Sequence, residues 1–537
     1  MSVLLLNLAS ITNAHVSVSK TEQRLGKTHG ASSGRSNLLV WLALLLIFGL
    51  GLAVRLYDLT DPPLDFHPTR QLRMAMITRG IYYKMSSQPD PVLRETAIAY
   101  GRSMGLYEPP ILENMVAFTY QFLGGEYLWI SRLFTSVFWL VGGIALFGLT
   151  RRMTSNGGAL ISTTFYLFLP FSVIASRSFQ PDPGMVMWVI LATYAFYRWA
   201  QEKQWRWAIL AGGLSGVAVL VKAVAGYLVV GLAIAVVIYA LGLKRSFKNL
   251  QVWTMAGLMA FPGTLYYVFI LQGRSSDYFM NWTVALLPML LSPSFYVQWL
   301  VHLQDLIGLT VLLLSLVGVL ISRPLNRSVL LGLWAGYGIY GLSLPYQITT
   351  HSYYSLQLVP IVAISLAPVA TLLLEHISVQ GMLSPALWRW QVSFWVLMAI
   401  FLAFSIWNSV YALDSQDYRA APSLWSGIAG SIPEEGKIIA LTQDYGYPLM
   451  YYGWKKVNLW PDTAERNLAN LRGKGGDDLQ KEFNERIQGK SYFLVTDFDQ
   501  FDHQPVLKEL LYEEYPIYAQ GSGYLVFDLQ HPLSASQ

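Results

Sequence analysis

The chain has 537 residues, of which 54% are hydrophobic and only 13% are charged, whereas a typical soluble protein carries about 25% charged residues. This composition indicates an integral membrane protein, and in such a protein the net charge of +5 does not point to nucleic acid, for which no binding motif is present. The sequence contains no cysteine, which excludes a disulfide framework, a thiolate nucleophile and a cysteine metal site.

The N-terminal residues 1–36 predict a disordered cytoplasmic tail, because their apolar run at residues 3–6 is too short for a signal sequence. A spanning helix needs about 20 mostly apolar residues, and residues 37–56 are the first of about eleven segments that qualify. The other predicted spans are residues 128–149, 157–175, 184–200, 207–224, 226–242, 252–271, 300–321, 329–344, 354–374 and 391–411.

The inner loops predict the orientation of the chain. If the N-terminus is cytoplasmic, every predicted inner loop is basic, as the positive-inside rule requires. The basic residues in these loops are Arg151, Arg152, Arg198, Lys203, Arg206, Lys244, Arg245, Lys248, Arg323, Arg327 and Arg389. The sequence therefore predicts a multi-pass protein of the plasma (inner) membrane whose odd number of spans makes the C-terminus extracytoplasmic.

A long first outer loop, residues 57–127, breaks this charge trend. It contains six positive residues, namely Arg70, Arg73, Arg79, Lys84, Arg94 and Arg102. Positive charge on the outer side opposes the topological rule, so we expect it to serve a negatively charged ligand. Long connections in compact proteins usually carry function, which makes this loop the predicted catalytic loop.

The segment from residue 413 to residue 537 has a different pattern. Strand-length apolar runs at 437–442, 491–496 and 524–528 alternate with predicted helices at 464–472, 478–488 and 505–512. Such alternation predicts a small soluble α/β domain. The predicted organisation is thus a tail (1–36), a transmembrane α-helical domain (37–412) and an extracytoplasmic α/β domain (413–537).

Polar side chains from segments remote in sequence fall at the outer ends of the predicted spans. These candidates are Asp65, His67, Arg70, Glu108, Arg132, Arg177, Asp182, Lys222, His351, Tyr353 and Tyr354. Charges within a membrane are costly and default to functional candidates. Alternatives remain open, because Arg177 could pair with Asp182 or with lipid headgroups, and Lys222 could extend its amine to the interface.

Four motifs occupy these positions. They are Asp-Phe-His-Pro-Thr-Arg-Gln at 65–71, Glu-Pro-Pro at 108–110 followed by Gly-Gly-Glu at 124–126 and Ser-Arg-Leu at 131–133, Ser-Arg-Ser-Phe-Gln-Pro-Asp at 176–182, and His-Ser-Tyr-Tyr at 351–354 with Pro360. In order and placement they resemble the motifs of the superfamily C glycosyltransferases, over residues 38–375. More narrowly, they resemble bacterial relatives of the protein O-mannosyltransferases and the lipid A aminoarabinose transferase. Many members carry an Asp-Glu pair where this chain has Thr69-Arg70, so both Asp65 and Glu108 remain candidates for the base.

The resemblance implies an inverting glycosyltransferase of the cell envelope that uses a polyprenyl-phosphate-linked sugar. An acceptor on a lipid, glycan or protein would attack the sugar at the outer membrane face, with Asp65 as general base and Glu108 as the second choice. The leaving phosphate would be held by Arg70, Arg132, Arg177, Lys222 and His351. His67, Asp182, Tyr353 and Tyr354 are further site candidates. No cofactor is predicted; a divalent metal is compatible with His67 and the carboxylates, but no ligand spacing indicates one.

Two other classes of protein fit part of the pattern. A secondary transporter also has many spans, but it usually shows repeat symmetry and charges near the membrane midplane, whereas here no repeat is visible. A polysaccharide polymerase or ligase would share lipid-linked substrates, and the sequence leaves that alternative open.

Overall fold

The computed structural model describes residues 38–86, 90–271, 280–383, 388–433, 437–473 and 479–533. The predicted tail, residues 1–36, lies outside these ranges. The chain divides into two compact units, Met1–Ala53 and Val54–Gln537. Helix α1 (Leu38–Leu56) begins in the first unit, and every other element named below belongs to the second.

The second unit is mainly helical up to residue 414. Its first helices are α2 (Pro68–Met85), α3 (Pro91–Ser103), α4 (Ile111–Leu123), α5 (Trp129–Met153), α6 (Asn156–Phe168), α7 (Pro170–Ser176), α8 (Asp182–Glu202), α9 (Trp205–Val221), α10 (Ala225–Leu241), α11 (Leu243–Ser246) and α12 (Leu250–Thr264), which continues as a π-helical segment (Leu265–Ile270). A 3-10 segment (Val284–Leu291) precedes α13 (Pro293–Leu306), α14 (Leu309–Ile321), α15 (Pro324–Ser343), α16 (Pro345–Thr350), a 3-10 turn (Ser352–Ser355), α17 (Leu358–Leu383) and α18 (Trp388–Asp414).

Every predicted span overlaps one or two of these helices, but not all of them are long enough to cross a membrane unaided. Among the described residues, five helices are long and apolar enough, and up to seven spans result if each of two bent pairs counts as one. Pro170 follows a 59° bend between α6 and α7, and a bend of 106° separates the segment Met280–Leu291 from α13. The prediction of a polytopic helical protein is therefore confirmed, whereas the number eleven stays a prediction.

Glycines allow helices α10 and α15 to cross closely. A Cβ atom placed on Gly231 would lie 2.5 Å from the carbonyl oxygen of Gly332, and one on Gly336 would lie 2.5 Å from that of Tyr227. Small residues let membrane helices approach until their backbones touch, so van der Waals packing stabilises the pair. This contact fixes α10, whose N-terminus follows the candidate residue Lys222.

The predicted first outer loop folds mostly into helices α2, α3 and α4. Pro68 and Pro91 stand in the first turns of α2 and α3, where a missing N–H costs nothing. Asp90 caps α3, because its carboxylate accepts hydrogen bonds from the backbone N–H groups of Val92 and Leu93 at 2.9 and 3.3 Å. The charged segment is thus an ordered layer that can hold side chains in fixed positions.

A five-stranded sheet follows the helical region. Its strands are β1 (Ile438–Leu441), β2 (Asn458–Leu459), β3 (Tyr492–Val495), β4 (Ile517–Gly521) and β5 (Tyr524–Asp528), in the order β2-β1-β3-β5-β4. Strand β1 pairs in parallel with β2 and β3, and β5 pairs antiparallel with β3 and β4. The helices around it are α19 (Ala421–Gly430), α20 (Tyr447–Tyr452), α21 (Thr463–Leu471), α22 (Leu479–Ile487), α23 (Phe498–Asp502) and α24 (Pro505–Glu514). The sequence analysis predicted β1, β3 and β5 but not β2 or β4.

The sheet region packs against the charged helical layer. Met450 and Tyr451 of α20 belong to the same buried cluster as Leu72 and Met76 of α2. The Arg79 guanidinium donates a 2.6 Å hydrogen bond to the carbonyl oxygen of Tyr451. A domain boundary at residue 413 stays a prediction, since these contacts join both sides of it within one compact unit.

Candidate active site

Two cations, the half-buried Arg70 and the buried Lys222, form the centre of the candidate site. Arg70 lies in the first turn of α2 and pairs with Glu108 at 3.4 Å. Lys222 follows the last residue of α9, and its Nζ lies 2.8 Å from Asp182 Oδ1 at the start of α8. We call these four residues the cationic cluster. The sequence analysis had placed all four at one level of the membrane, and the structure brings them together from four separate elements.

One aromatic ring joins the two ion pairs. The Tyr353 ring centre lies 5.3 Å from Arg70 Cζ and 5.0 Å from Lys222 Nζ, and the Tyr354 ring centre lies 4.9 Å from the same amine. Cations are attracted to aromatic faces, so the rings help to keep both charges at their positions. The motif at 351–354 therefore contributes one wall of the site.

Within the cationic cluster, electrostatic interactions favour the ionised forms of Glu108 and Arg70. Burial opposes the charge on Glu108, but Arg70 and Lys222 outweigh burial, so the pKa of Glu108 is lowered. Burial also opposes the charge on Arg70, and Glu108 and Tyr353 outweigh it, so the pKa of Arg70 is raised. Each cation has one carboxylate within ion-pair distance, so its remaining N–H donors are available to an anion.

Two histidines border the cationic cluster. The rings of His67 and His351 stack with their centres 6.0 Å apart, and His67 Nε2 lies 2.9 Å from the hydroxyl oxygen of Ser352. Burial, His351 and Arg70 lower the pKa of His67 to about 4, and burial, Arg70 and Lys222 lower that of His351 to about 4. Both rings are therefore neutral at pH 7 and can offer hydrogen bonds without a charge.

Asp65 lies beside the cluster in a different environment. Its Oδ1 receives Arg132 Nη2 at 2.9 Å and Gln71 Nε2 at 3.1 Å. Gln71 is itself fixed, because its Oε1 accepts a 2.8 Å hydrogen bond from the Phe179 backbone N–H. Among the described residues none donates to Asp65 Oδ2. The carboxylate is thus oriented through one oxygen, while the other remains able to accept a proton.

Arg132 and Arg177 are placed differently from the other predicted phosphate ligands. Both guanidinium groups are buried and bond to backbone carbonyl oxygens of the segment that follows α1. Arg132 reaches Leu59 and Asp61 at 3.2 and 2.8 Å, and Arg177 reaches Asp58 at 2.8 Å. Burial and the like charge of Arg132 lower the pKa of Arg177 to about 10. These two arginines hold the loop that carries Asp65, and the phosphate role predicted for them is less suited to this geometry than a positioning role.

An apolar groove begins next to Lys222. It has an empty volume of about 1270 Å³ and lies between α9, α10, α12 and the π-helical segment. Ala223, directly after Lys222, lines one end, and the groove follows α10 from Gly226 to Val237, a distance of about 17 Å at the rise of an α-helix. Val230 and Ile234 on this path are 45% and 55% exposed, so the groove opens on the side that would face lipid.

Sequence reasoning did not select three residues that the structure places at the site. Gln71 orients Asp65, Glu113 is buried in α4, and Asp444 accepts a 2.9 Å hydrogen bond from the Thr69 hydroxyl beside Arg70. A carboxylate between apolar neighbours was the available signal for Glu113. Within the described ranges, no group of three or more His, Asp or Glu side chains is placed to hold a metal ion.

Comparisons with known proteins bear on the family and the fold. A family model described as dolichyl-phosphate-mannose-protein mannosyltransferase matches residues 107–270. The structure is similar to that of ArnT from Cupriavidus metallidurans bound to undecaprenyl phosphate, with a TM-score of 0.52 and 14% identity over 91% of this chain and 97% of that chain. It is also similar to that of the oligosaccharyltransferase AglB from Archaeoglobus fulgidus in complex with an inhibitory peptide and a dolichol-phosphate, with a TM-score of 0.53 and 12% identity over 93% and 75% of the two chains. No curated protein sequence matches the chain.

The chain therefore shares the fold of ArnT and AglB, and the predicted resemblance to superfamily C is confirmed. The segment matched by the family model contains Glu108, Asp182 and Lys222, three of the four residues of the cationic cluster.

Proposed function

We propose that this protein transfers a sugar from a polyprenyl-phosphate donor to an acceptor at the outer face of the membrane, with inversion at the anomeric carbon. The observation that carries the proposal is that the cations Arg70 and Lys222 share the Tyr353 ring, and that the apolar groove begins at Ala223, directly after Lys222. A polyprenyl phosphate has the matching shape, since it joins an anionic head to a long apolar chain. The similar structures of ArnT and AglB contain undecaprenyl phosphate and dolichol-phosphate, respectively.

In the proposed reaction, an acceptor hydroxyl or amine attacks the anomeric carbon while the bond from that carbon to the phosphate oxygen breaks. The proton of the attacking group passes to Asp65, whose Oδ1 is held by Arg132 and Gln71. The bonding electrons leave with the phosphate, which gains negative charge. Fixed cations in a site with little water stabilise such a change strongly, and this is the role of Arg70 and Lys222.

Glu108 has a supporting role in this scheme. Its ion pair with Arg70 orients the guanidinium, and its lowered pKa makes it a weaker proton acceptor than an ordinary carboxylate. Asp65 is therefore preferred as the base, with Glu108 as the residue that positions Arg70.

The experiment uses the full-length protein in detergent or nanodiscs with a polyprenyl-phosphate-linked hexose and envelope acceptors. Asp65→Asn should reduce transfer by about a thousandfold, in line with the loss of a general base, while the dissociation constant of bare polyprenyl phosphate should change less than twofold. Lys222→Met should instead weaken binding of the bare lipid.

A matched control is Asp499→Asn, which removes a carboxylate that is 79% exposed in the sheet region. It should leave both transfer and lipid binding unchanged. Full transfer activity in Asp65→Asn would remove Asp65 as the base, and failure of the wild-type protein to bind any polyprenyl phosphate would remove the proposed function.

A further inference from the structure

A second cavity, separate from the lipid groove, adjoins the cationic cluster. Its empty volume is about 510 Å³, and it lies between α4, α5, α8 and α9. Glu108 lines it directly, and two other lining residues, Pro181 and Val221, immediately precede Asp182 and Lys222. A ligand whose phosphate is held by the cationic cluster would therefore reach this cavity with the group attached to that phosphate.

The polar lining of the cavity is mostly acidic. Glu113 is 6% exposed and forms no ion pair with any residue that the structure describes. Burial, reinforced by Glu108, raises the pKa of Glu113 to about 7. The third charged residue of the lining is Arg73. Its guanidinium is held by the backbone, because it donates hydrogen bonds to the carbonyl oxygens of Met104 and Gly105 at 3.3 and 2.7 Å. A buried carboxyl that lines a cavity and has no ion-pair partner can hydrogen-bond a ligand there, which would compensate for its lost hydration.

The remaining lining suits the ring of a sugar. Phe138 of α5 and Trp188 of α8 are half-buried aromatic residues that line the cavity. Ligand sites typically combine aromatic and apolar surface with a few polar groups that fix orientation. A pyranose presents C–H groups on its faces and hydroxyls on its rim, so aromatic side chains and carboxyls are complementary partners for it.

We propose that this cavity binds the sugar of the donor, and that Glu113 is a specificity-determining residue that selects an uncharged, hydroxyl-bearing sugar. This inference rests on the proposed function. Glu108 and Glu113 line the same cavity, and their negative charge disfavours a further carboxylate there. The cavity should therefore reject a uronic acid. A neutral hexose offers hydroxyls that donate to Glu108 and exchange hydrogen bonds with Glu113, and a site built for such hydrogen bonds discriminates against ligands that cannot form them.

The test measures equilibrium binding of three lipids to the full-length protein without acceptor. The lipids share one polyprenyl phosphate, which is bare, linked to a neutral hexose, or linked to a uronic acid. The wild-type protein should bind the hexosyl lipid most tightly and the uronosyl lipid no more tightly than the bare one. Glu113→Ala should weaken hexosyl-lipid binding by about tenfold and leave bare-lipid binding within twofold.

Glu113→Gln keeps the shape of the side chain, so it remains informative if the alanine variant fails to fold. It should raise the affinity for the uronosyl lipid relative to the wild type, because the like charge is gone. Glu95→Gln, on the exposed side of α3, is the matched control and should change none of the three constants.

Equal weakening of all three lipids in Glu113→Gln would show a structural role and overturn the inference. Wild-type binding that does not distinguish the three lipids would also overturn it while leaving the proposed function intact. A wild-type protein that does not bind the bare lipid would instead count against the proposed function itself.

Discussion

At the scale of single residues, the outer-face arginines divide into two kinds. Arg70 faces an ion-pair partner, an aromatic ring and the two histidines, whereas Arg132 and Arg177 donate mainly to carbonyl oxygens of the loop before α2. A guanidinium with five N–H donors is well suited to either task. The distinction depends on which acceptors surround the group.

This division predicts different defects for Arg132 and Arg70. Arg132→Ala should lower the free energy of unfolding by about 3 kcal/mol, because it removes a buried partner of Asp65 and of several carbonyls. Arg70→Gln should change stability less but weaken binding of bare polyprenyl phosphate by about tenfold or more. Thermal unfolding and lipid binding, measured on the same preparations, separate the two effects. Equal loss of lipid affinity at normal stability in both variants would contradict the division.

The stacked histidines predict a dependence of stability on pH. Their pKa values of about 4 in the folded protein lie below the value of about 6.5 for an unfolded histidine. Between these values the unfolded chain binds more protons, so the folded state loses stability as the pH falls from 6.5 toward 4. Between pH 7.5 and pH 5, the free energy of unfolding should therefore fall less for His351→Gln than for the wild type. The difference between the two proteins should be about 2 kcal/mol at most.

Thermal unfolding of both proteins at the two pH values measures this difference. Glu113, whose pKa is raised, stabilises the folded state as the pH falls through 7, and this opposite contribution is common to both proteins. An identical pH dependence in wild type and variant would contradict the low histidine pKa.

At the scale of elements, the start of α2 is held by one local contact and by two distant parts of the chain. Asp65 and Gln71 close the turn locally, His67 reaches Ser352, and Thr69 donates a 2.9 Å hydrogen bond to Asp444 of the sheet region. His67 adopts a left-handed backbone conformation with φ 49°, and Asp444 does so with φ 50°. Non-glycine residues pay for this conformation, so surrounding contacts must stabilise it.

The Thr69–Asp444 hydrogen bond predicts that the sheet region helps to position helix α2. Thr69→Val is nearly isosteric and removes the hydroxyl donor to a half-buried carboxylate whose pKa is already raised, mainly by burial. The free energy of unfolding should fall by about 1–2 kcal/mol, and the rate of transfer should fall because Arg70 is adjacent. Thr254→Val, whose hydroxyl bonds only a carbonyl of its own helix, should change neither quantity. Normal transfer in Thr69→Val would show that the contact does not position the site.

The elements also show how far sequence reasoning extends. The 20-residue apolar runs and the basic inner loops depend on local composition, and each predicted span overlaps a helix. Strand β4 was missed because most of its residues are exposed and do not alternate, and β2 is only two residues long. The stack of His67 on His351 joins residues that are far apart in sequence, and the carbonyl partners of Arg132 follow no pattern of residue types. The order of the motifs could therefore indicate which residues lie close together in the fold, but not which of them donate hydrogen bonds to backbone carbonyl oxygens.

At the scale of the whole molecule, helices α2 and α3 both contact the sheet region. Arg79 donates to the carbonyl oxygen of Tyr451, and the Tyr100 hydroxyl donates to that of Trp454. The helices before the second predicted span and the C-terminal sheet must therefore share a compartment. This inference uses only the contacts and no count of spans. A shared compartment agrees with the odd number of spans that the charge pattern predicts.

The absence of cysteine makes the sidedness directly testable, because single cysteines can be introduced without a background. Ser103→Cys in the charged layer and Asp499→Cys in the sheet region should react with a membrane-impermeant maleimide in intact cells. Lys248→Cys and Arg323→Cys, both exposed at predicted inner loops, should react only after permeabilisation. The predicted outer location rests on the positive-inside loops and on the proposed transfer of the donor's sugar to an extracytoplasmic acceptor. A reversed labelling pattern would place Asp65 and the cationic cluster at the cytoplasmic face, and opposite labelling of Ser103→Cys and Asp499→Cys would contradict the contact between α2 and the sheet region.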